Sequence, residues 1–237
     1  MINTSELPNF SKLAEKLGIQ FADLKLLRQA LTHRSYLNEN RGVDWQHNER
    51  LEFLGDAVLE LVSTDYLYHR YPDKTEGNLT AYRAALVNTD IIAQAAEDLG
   101  INDYLLLSRG EAKDTESRAR RAILANTFES IIGAIYLDQQ FAGAEKFIKK
   151  YLDGQVEMVV GGGLWQDAKS LFQEKAQAKL DITPSYSVIK EVGPDHDKLF
   201  TVGLYLGTEL EATGEGHSKQ EAEQAAARVG LAGRQWD

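Results

Sequence analysis

The sequence predicts two domains, an all-α part over residues 1–159 and an α+β part over 167–237 in the order α-β-β-β-α, joined by a glycine-rich linker at 160–166. Three observations carry this. From about residue 10 to residue 152, apolar residues recur three and four apart, as on helices with one buried face. The run Gly161-Gly162-Gly163 interrupts that pattern, and consecutive glycines are costly in any regular element. Beyond it, short segments alternate apolar and polar residues with β-branched content, as half-buried strands do.

In the first part the spacing predicts about seven helices and no strand. Pro8 opens the first, and Leu24, Leu27 and Leu31 mark a second. Leu51, Leu54, Val58, Leu61 and Val62 mark a long one that ends near Tyr71, ahead of Pro72. Ile123, Phe128, Ile131, Ile132 and Ile135 mark another, strongly apolar. In the second part, residues 167–180 read as an amphipathic helix whose buried side takes Leu171, Phe172, Ala176 and Leu180. Residues 186–190 and 199–206 read as strands, with Phe200, Val202, Leu204 and Leu206 on one face, and residues 209–213 as a third. Gly214-Glu215-Gly216-His217 reads as a turn. Ser218 then opens the closing helix, and Glu221 three residues on completes a capping-box signature.

Composition narrows the function classes. Lys and Arg number 26 against 36 Asp and Glu, for a formal net charge of −10, and 43 % of the residues are hydrophobic. That apolar fraction supports real cores and excludes global disorder. There is no cysteine, which excludes a disulfide framework, a cysteine nucleophile, a thiolate zinc site and an iron–sulfur cluster. The five histidines (His33, His47, His69, His196, His217) include no pair at helical ligand spacing, which argues against a His-rich zinc site. The amino terminus lacks a basic start and an apolar core, and no stretch approaches the ~18 apolar residues of a membrane span. The expectation is a soluble, cytoplasmic protein with no membrane attachment. The acidic balance argues against a surface that is basic throughout, although a local patch suffices to bind phosphates.

The most informative stretch is His47-Asn48-Glu49-Arg50-Leu51-Glu52-Phe53-Leu54-Gly55-Asp56. On a helix, Glu49, Glu52 and Asp56 fall within an arc of roughly 60°. Three carboxylates on so narrow a stripe repel one another unless a cation sits among them, and converging hard oxygens suit Mg²⁺ or Mn²⁺. The competing interpretation is a solvated acidic face; the many flanking apolar residues weigh against it, and Arg50 neutralises only one charge. A second segment, residues 123–133, places Asn126 and Glu129 one turn apart among Ile, Leu, Phe and Ala. A Glu in such surroundings is expensive to bury unless paired or metal-bound.

The stretch Asn48 through Asp56 resembles the signature motif of the ribonuclease III family, and residues 123–133 resemble its second catalytic segment. The second half is similar to a double-stranded-RNA-binding domain in its order of elements and in two motifs, Ser170-Leu171-Phe172-Gln173-Glu174 and Gly214-Glu215-Gly216-His217-Ser218-Lys219. The resemblance implies an all-α endonuclease domain followed by that RNA-binding domain. It implies a homodimeric endoribonuclease that cuts double-stranded RNA with Mg²⁺, Mn²⁺ serving as substitute, in the processing of ribosomal and other RNA precursors. Carried over by position, Glu52, Asn126 and Glu129 are metal ligands, and hydrolysis depends most on Asp56 and Glu129. Glu49 and Glu76 assist near the scissile strand, and Phe53 is a dimer contact. The family usually has Asp where this chain has Asn126, which brings an amide oxygen but no charge. That departure motivates an alternative, a non-catalytic double-stranded-RNA-binding protein with a weakened metal site. A different metal-dependent phosphohydrolase would leave the second domain unexplained.

Duplex RNA is read through its shape, 2′-hydroxyls and phosphates. Ser170, Gln173 and Glu174 lie on one side of their helix and suit 2′-hydroxyls, His196 sits in a loop able to enter a minor groove, and Ser218 and Lys219 open the last helix, where its dipole favours a phosphate. The basic complement is thin: from Gly161 on there are eight Lys and Arg against twelve acids. Weak, salt-sensitive binding by this domain alone is expected. Arg118, Arg120 and Arg121 form the densest positive cluster, to be explained either by contact with RNA or by pairing with Asp114 and Glu116.

Overall fold

The computed structural model describes residues 7–115, 117–163, 165, 167–194 and 198–236. The chain divides into two compact units, Met1–Trp165 and Gln166–Asp237. Among the described residues the first unit holds eight α-helices: α1 (Phe10–Leu17), α2 (Leu24–Ala30), α3 (Arg34–Glu39), α4 (Glu49–Arg70), α5 (Glu76–Leu86), α6 (Thr89–Asp98), α7 (Arg109–Lys113) and α8 (Arg118–Val156). The periodicity gave about seven. Helices α3 and α7, of six and five residues, are too short to repeat an apolar spacing. Most helix starts of the unit are chemically marked, since Asn9, Asp23, Thr75, Asn88, Ser108 and Ser117 cap α1, α2, α5, α6, α7 and α8, each accepting a backbone N–H of the first turn. Pro8 lies one residue outside the first cap rather than in the helix.

The core of this unit forms around α8, whose Leu124, Phe128, Ile131, Ile132 and Ile135 are buried against α4, α6 and α2. Helix α8 is interrupted at Gln140, which takes φ 60°. The start of α4 is fixed from below: Asn48 is buried, and its N–H donates to the Thr32 carbonyl at 2.9 Å. Thr32 itself forms an isolated bridge with Leu106. The glycine run does not stop the helical path at once, because a π turn continues over Glu157–Gly161 before Gly163 takes φ 70°. Trp165 packs edge-on against Tyr82 at 4.7 Å and so belongs with the first core.

The second unit consists of α9 (Ala168–Leu180), β1 (Ser185–Val192), β2 (Leu199–Leu206), β3 (Glu209–Gly216) and α10 (Lys219–Arg234), with an antiparallel sheet in the order β1-β2-β3. Phe172, Ala176, Leu204, Leu206, Ala226, Leu231 and Trp236 form its core. Two expectations need correction. Gly214 and Gly216 are not a turn but pair with Val202 and Phe200 in the β2–β3 ladder. They are glycines because α10 lies against them: a Cβ on Gly214 would fall 2.1 Å from the Ala226 nitrogen, and one on Gly216 2.6 Å from the Ala222 nitrogen. Leu180 is exposed rather than buried, since it is the last residue of α9 and Asp181 turns left-handed behind it. The capping box forms in shifted register, with Ser218 Oγ accepting the Glu221 N–H while the Glu221 carboxylate accepts the N–H of His217. No helix among the described residues is long and apolar enough to cross a membrane.

Candidate active site

Two glycines bring the acidic segments together. At the crossing of α4 and α8, a Cβ on Gly55 would sit 1.8 Å from the Glu129 carbonyl oxygen, and one on Gly133 2.2 Å from the Leu51 carbonyl oxygen. Only backbones without side chains approach so closely. The crossing sets Glu52 and Asp56, which flank Gly55 on α4, beside Glu129 on α8, with Asn126 one turn before it. Ser130 ties the junction: its hydroxyl donates to the Asn126 carbonyl at 2.7 Å and lies 3.3 Å from the Asn48 carbonyl.

The electrostatics record that proximity. Burial, and then the charges of Asp56, Glu52 and Glu60, push the Glu129 carboxyl up to about 7. Burial, then Glu49 and Asp56, raises Glu52 as well. Among the described residues neither Glu52, Asp56 nor Glu129 has a salt bridge or a side-chain hydrogen bond, so the negative charge of the cleft is unopposed. Arg50 is not the neutralising cation that the sequence offered. Instead Arg34 approaches Glu49 at 3.5 Å, with His47 3.9 Å away, and Arg83 on α5 binds Glu60 at 2.8 Å. Glu76 opens α5, where its carboxylate accepts the Thr80 hydroxyl at 3.1 Å; it is not among the charges acting on Glu52 or Glu129.

No three His, Asp or Glu side chains among the described residues converge closely enough to hold a metal ion as they stand. The donor chemistry nevertheless fits a hard divalent cation. Glu52, Asp56 and Glu129 offer carboxylates and Asn126 an amide oxygen, and half-buried carboxyls with raised proton affinity and no counter-ion are groups that a cation relieves. Sequence reasoning missed Glu60 and Arg83. The signal for Glu60 was present, since it lies four residues after Asp56 on the same stripe; nothing local announces Arg83.

The outer side of α4 is unusual. Phe53 is 82 % exposed, and Leu61 and Tyr68, farther along the same side, are exposed too. Leu61 therefore leaves the buried pattern in which the sequence placed it. In the second unit, Ser170, Gln173 and Glu174 are all exposed on α9, opposite the buried Ala168, Phe172 and Ala176. Ser218 serves as the N-cap of α10, and the exposed Lys219 holds its Nζ 5.8 Å from the centre of the Phe200 ring. His196 lies outside the described residues, as does Glu116. Two arginines of the cluster have partners within the first unit. Arg120 is buried and donates to the carbonyls of Asp114 and Glu111 at 2.8 and 2.9 Å, while Arg121 binds the Asp90 carboxylate at 3.0 Å. These two side chains are committed to holding the α7–α8 and α6–α8 corners.

A family model described as Ribonuclease-III-like matches residues 23–155, the span that contains the whole acidic cleft. The chain belongs to the ribonuclease III family. A second model, described as Double-stranded RNA binding motif, matches residues 168–233. The chain is 45 % identical over 223 residues to Ribonuclease 3 of Borreliella burgdorferi, covering 93 % of this chain and 89 % of that protein. It is 43 % identical over 224 residues to Ribonuclease 3 of Enterococcus faecalis, covering 93 % and 95 %. Its fold is similar to the solved nuclease domain of ribonuclease III from Campylobacter jejuni, with TM-score 0.54 and 38 % identity over 63 % of this chain and 96 % of that one. The resemblance read from residues 48–56 and 123–133 is thereby confirmed, as is the fold class, a helical nuclease domain followed by an α+β double-stranded-RNA-binding domain.

Proposed function

We infer that the cleft between α4 and α8 is where this double-stranded-RNA endoribonuclease hydrolyses its substrate, with Mg²⁺ or Mn²⁺ held by Glu52, Glu129 and Asn126. One observation carries this reading: Glu52, Asp56 and Glu129 are gathered at a glycine–glycine helix crossing with no cation among the described residues paired with them. A divalent ion, when bound, activates water at neutral pH and offsets the charge that develops on the phosphoryl group. Asp56 is exposed at the mouth of the cleft, where it reaches the scissile strand, while Glu129 at the crossing has its backbone fixed against Gly55. Glu49, paired with Arg34, and Glu76 at the start of α5 flank the RNA path.

The exposed row Ser170, Gln173 and Glu174 addresses 2′-hydroxyls in a minor groove, the loop bearing His196 the neighbouring groove, and Ser218 and Lys219 at the N-terminus of α10 a phosphate. Two strands require two sites, and the exposed Phe53, with Leu61 and Tyr68 behind it, suits a homodimer face. The Campylobacter jejuni nuclease domain has a region involved in dimer formation, which supports the same reading. Precursors of ribosomal and other RNAs, rich in long duplex, are the expected substrates.

Incubating the protein with long duplex RNA tests the proposal. Cleavage is expected with Mg²⁺, none in excess EDTA, and none for Glu129→Gln, which keeps its duplex binding. Full-rate cutting in EDTA would refute the metal assignment. The non-catalytic alternative, suggested by Asn126 alone, predicts binding without cleavage; the retained cluster of Glu52, Asp56 and Glu129 favours cleavage.

A further inference from the structure

Glu60 lies one turn beyond Asp56 on α4, on the stripe that carries Glu52 and Asp56, and its charge is among those that act on Glu129. A carboxylate at that place is a further oxygen donor for a cation in the cleft. Its carboxylate is bound by a side chain of α5. Arg83, on α5, donates from Nε to Glu60 Oε2 at 2.8 Å and from Nη1 to Thr64 Oγ1 at 2.9 Å. The Thr64 hydroxyl in turn donates to the Glu60 carbonyl at 2.7 Å. The guanidinium is thus anchored at two points one turn apart on α4, and a planar fork held at two points fixes its carboxylate more firmly than a point charge does. With the Arg83 and Glu60 side chains 35 % and 39 % exposed, the pair is only partly screened by solvent.

We propose that Arg83 is a positioning residue that draws the Glu60 carboxylate toward α5 and so keeps it from entering the cation site as an extra ligand. The inference rests on the metal-dependent reading above. Its physical sense lies in how Mg²⁺ works on phosphate substrates. The ion keeps one or two carboxylates and leaves its other positions to water and to phosphate oxygens, rather than sitting in a cage made wholly of protein. Glu52 and Glu129 already supply two carboxylates, and Asn126 an amide oxygen. A further carboxylate from Glu60 would tighten the grip on the ion and crowd out the substrate. Arg83 sets its own positive charge beside the Glu60 carboxylate and denies its oxygens to the ion.

The test compares wild type, Arg83→Gln, Glu60→Gln and the double variant in two measurements: calorimetric binding of Mn²⁺ to the metal-free protein without RNA, and duplex cleavage at saturating Mn²⁺. Thermal unfolding of each variant checks that it is folded. Arg83→Gln should bind Mn²⁺ about three- to tenfold more tightly yet cut about tenfold more slowly at saturation, because Glu60 is released into the site. Adding Glu60→Gln should restore both quantities to near the wild-type values. Three results overturn the inference. If Arg83→Gln binds more tightly but cuts at the normal saturating rate, Arg83 acts through its charge alone. If the double variant stays slow, Arg83 merely staples α4 to α5. If wild type binds Mn²⁺ and Arg83→Gln binds it equally well, Glu60 is not being withheld. Wild type that binds no Mn²⁺ at all would sink the metal-dependent reading together with this one.

Discussion

Gly55→Ala perturbs the crossing on which the site depends. The added methyl carbon would lie 1.8 Å from the Glu129 carbonyl oxygen, 2.7 Å from its carbonyl carbon and 2.8 Å from the Gly133 nitrogen. Non-bonded heavy atoms are comfortable at about 3.5 Å, so relief needs about 1.5 Å of separation between two backbones, which cannot rotate aside as a side chain would. Overpacking of this kind costs about 1–3 kcal/mol, and contact with main chain on every side puts this case at the upper end. For a chain of this size that corresponds to a melting point lower by about 5–10 °C. The same displacement carries Glu52 and Asp56 away from Glu129 and Asn126. Misplacing reacting groups by about 1 Å costs on the order of 10²-fold in rate, so the folded variant should cut duplex RNA about a hundredfold more slowly at saturating Mg²⁺. Gly154→Ala is the control: it lies near the end of α8, away from the crossing, with nothing within 4 Å of the added carbon, and should gain up to about 1 kcal/mol from helix propensity with cleavage unchanged. Thermal unfolding followed by circular dichroism, together with a cleavage time course below the melting point, reads both effects. A Gly55→Ala protein that melts and cuts like wild type would show that the crossing does not set the site geometry.

Three further outcomes are expected. Asn126→Asp adds a charged oxygen beside Glu129, and should lower the Mg²⁺ concentration at half-maximal cleavage by about tenfold, equivalent to ~1.4 kcal/mol; an unchanged or higher requirement would show that Asn126 is not a weakened ligand. Phe53→Asp, at a position 82 % exposed, should leave each nuclease unit folded but convert a dimer to monomers in light scattering at micromolar concentration, with double-strand cutting lost; an unaltered mass and activity would contradict the assignment of the dimer face. Arg234 binds the Glu211 carboxylate through two bonds of 2.6 and 2.7 Å, holding it below its ordinary value of 4.5 against an opposing effect of burial. Because the folded value is the lower one, the stabilisation is complete above pH ~4.5 and fades as pH falls through the folded value. Glu211→Gln should therefore melt below wild type at pH 7, by the equivalent of about 1 kcal/mol, and the gap should close toward pH 3; a gap that persists or widens in acid would refute this sign.

The site was legible where its chemistry lies along one helix. Glu49, Glu52 and Asp56 could be placed on a common stripe from spacing alone, as could Asn126 and Glu129 one turn apart. What spacing cannot give is the partner from another element. Arg83 is on α5, and its bond to Glu60 exists only because α5 packs on α4, so the fourth acid of the stripe went unread along with the cation that holds it. Arg120 and Arg121 show the same limit: Arg120 satisfies backbone carbonyls and Arg121 a carboxylate on α6, neither of which a local charge count can reveal. Glycine was the other source of error. Gly214 and Gly216 look like a turn in sequence, but they are strand positions emptied of side chains so that α10 can approach. Gly55 and Gly133, each inside a helical pattern, signal the equivalent close approach between helices. At these four positions an isolated glycine in a regular pattern marks close contact and not a break.

The same crossing explains why the fold tolerates its own acidic cleft. Bringing Glu52, Asp56 and Glu129 together stores repulsion in the folded chain, and the two glycines allow it because backbone packing of Gly55 on Glu129 and buried apolar residues such as Phe128 and Ile132 hold the helices regardless. A cation that binds only the folded form lowers that repulsion and adds its binding free energy to the stability of the fold. As the ligand proposed above, a neutral Asn126 would ease the repulsion in the metal-free protein and weaken the attraction for the ion by the same cause. The Arg83–Glu60 pair acts in the same direction, since a neutralised fourth acid adds less to either quantity than a free one would. A thermal-unfolding series in Mg²⁺ therefore joins the two properties. The shift in melting point on adding metal should be larger for Asn126→Asp than for wild type, and its metal-free melting point lower.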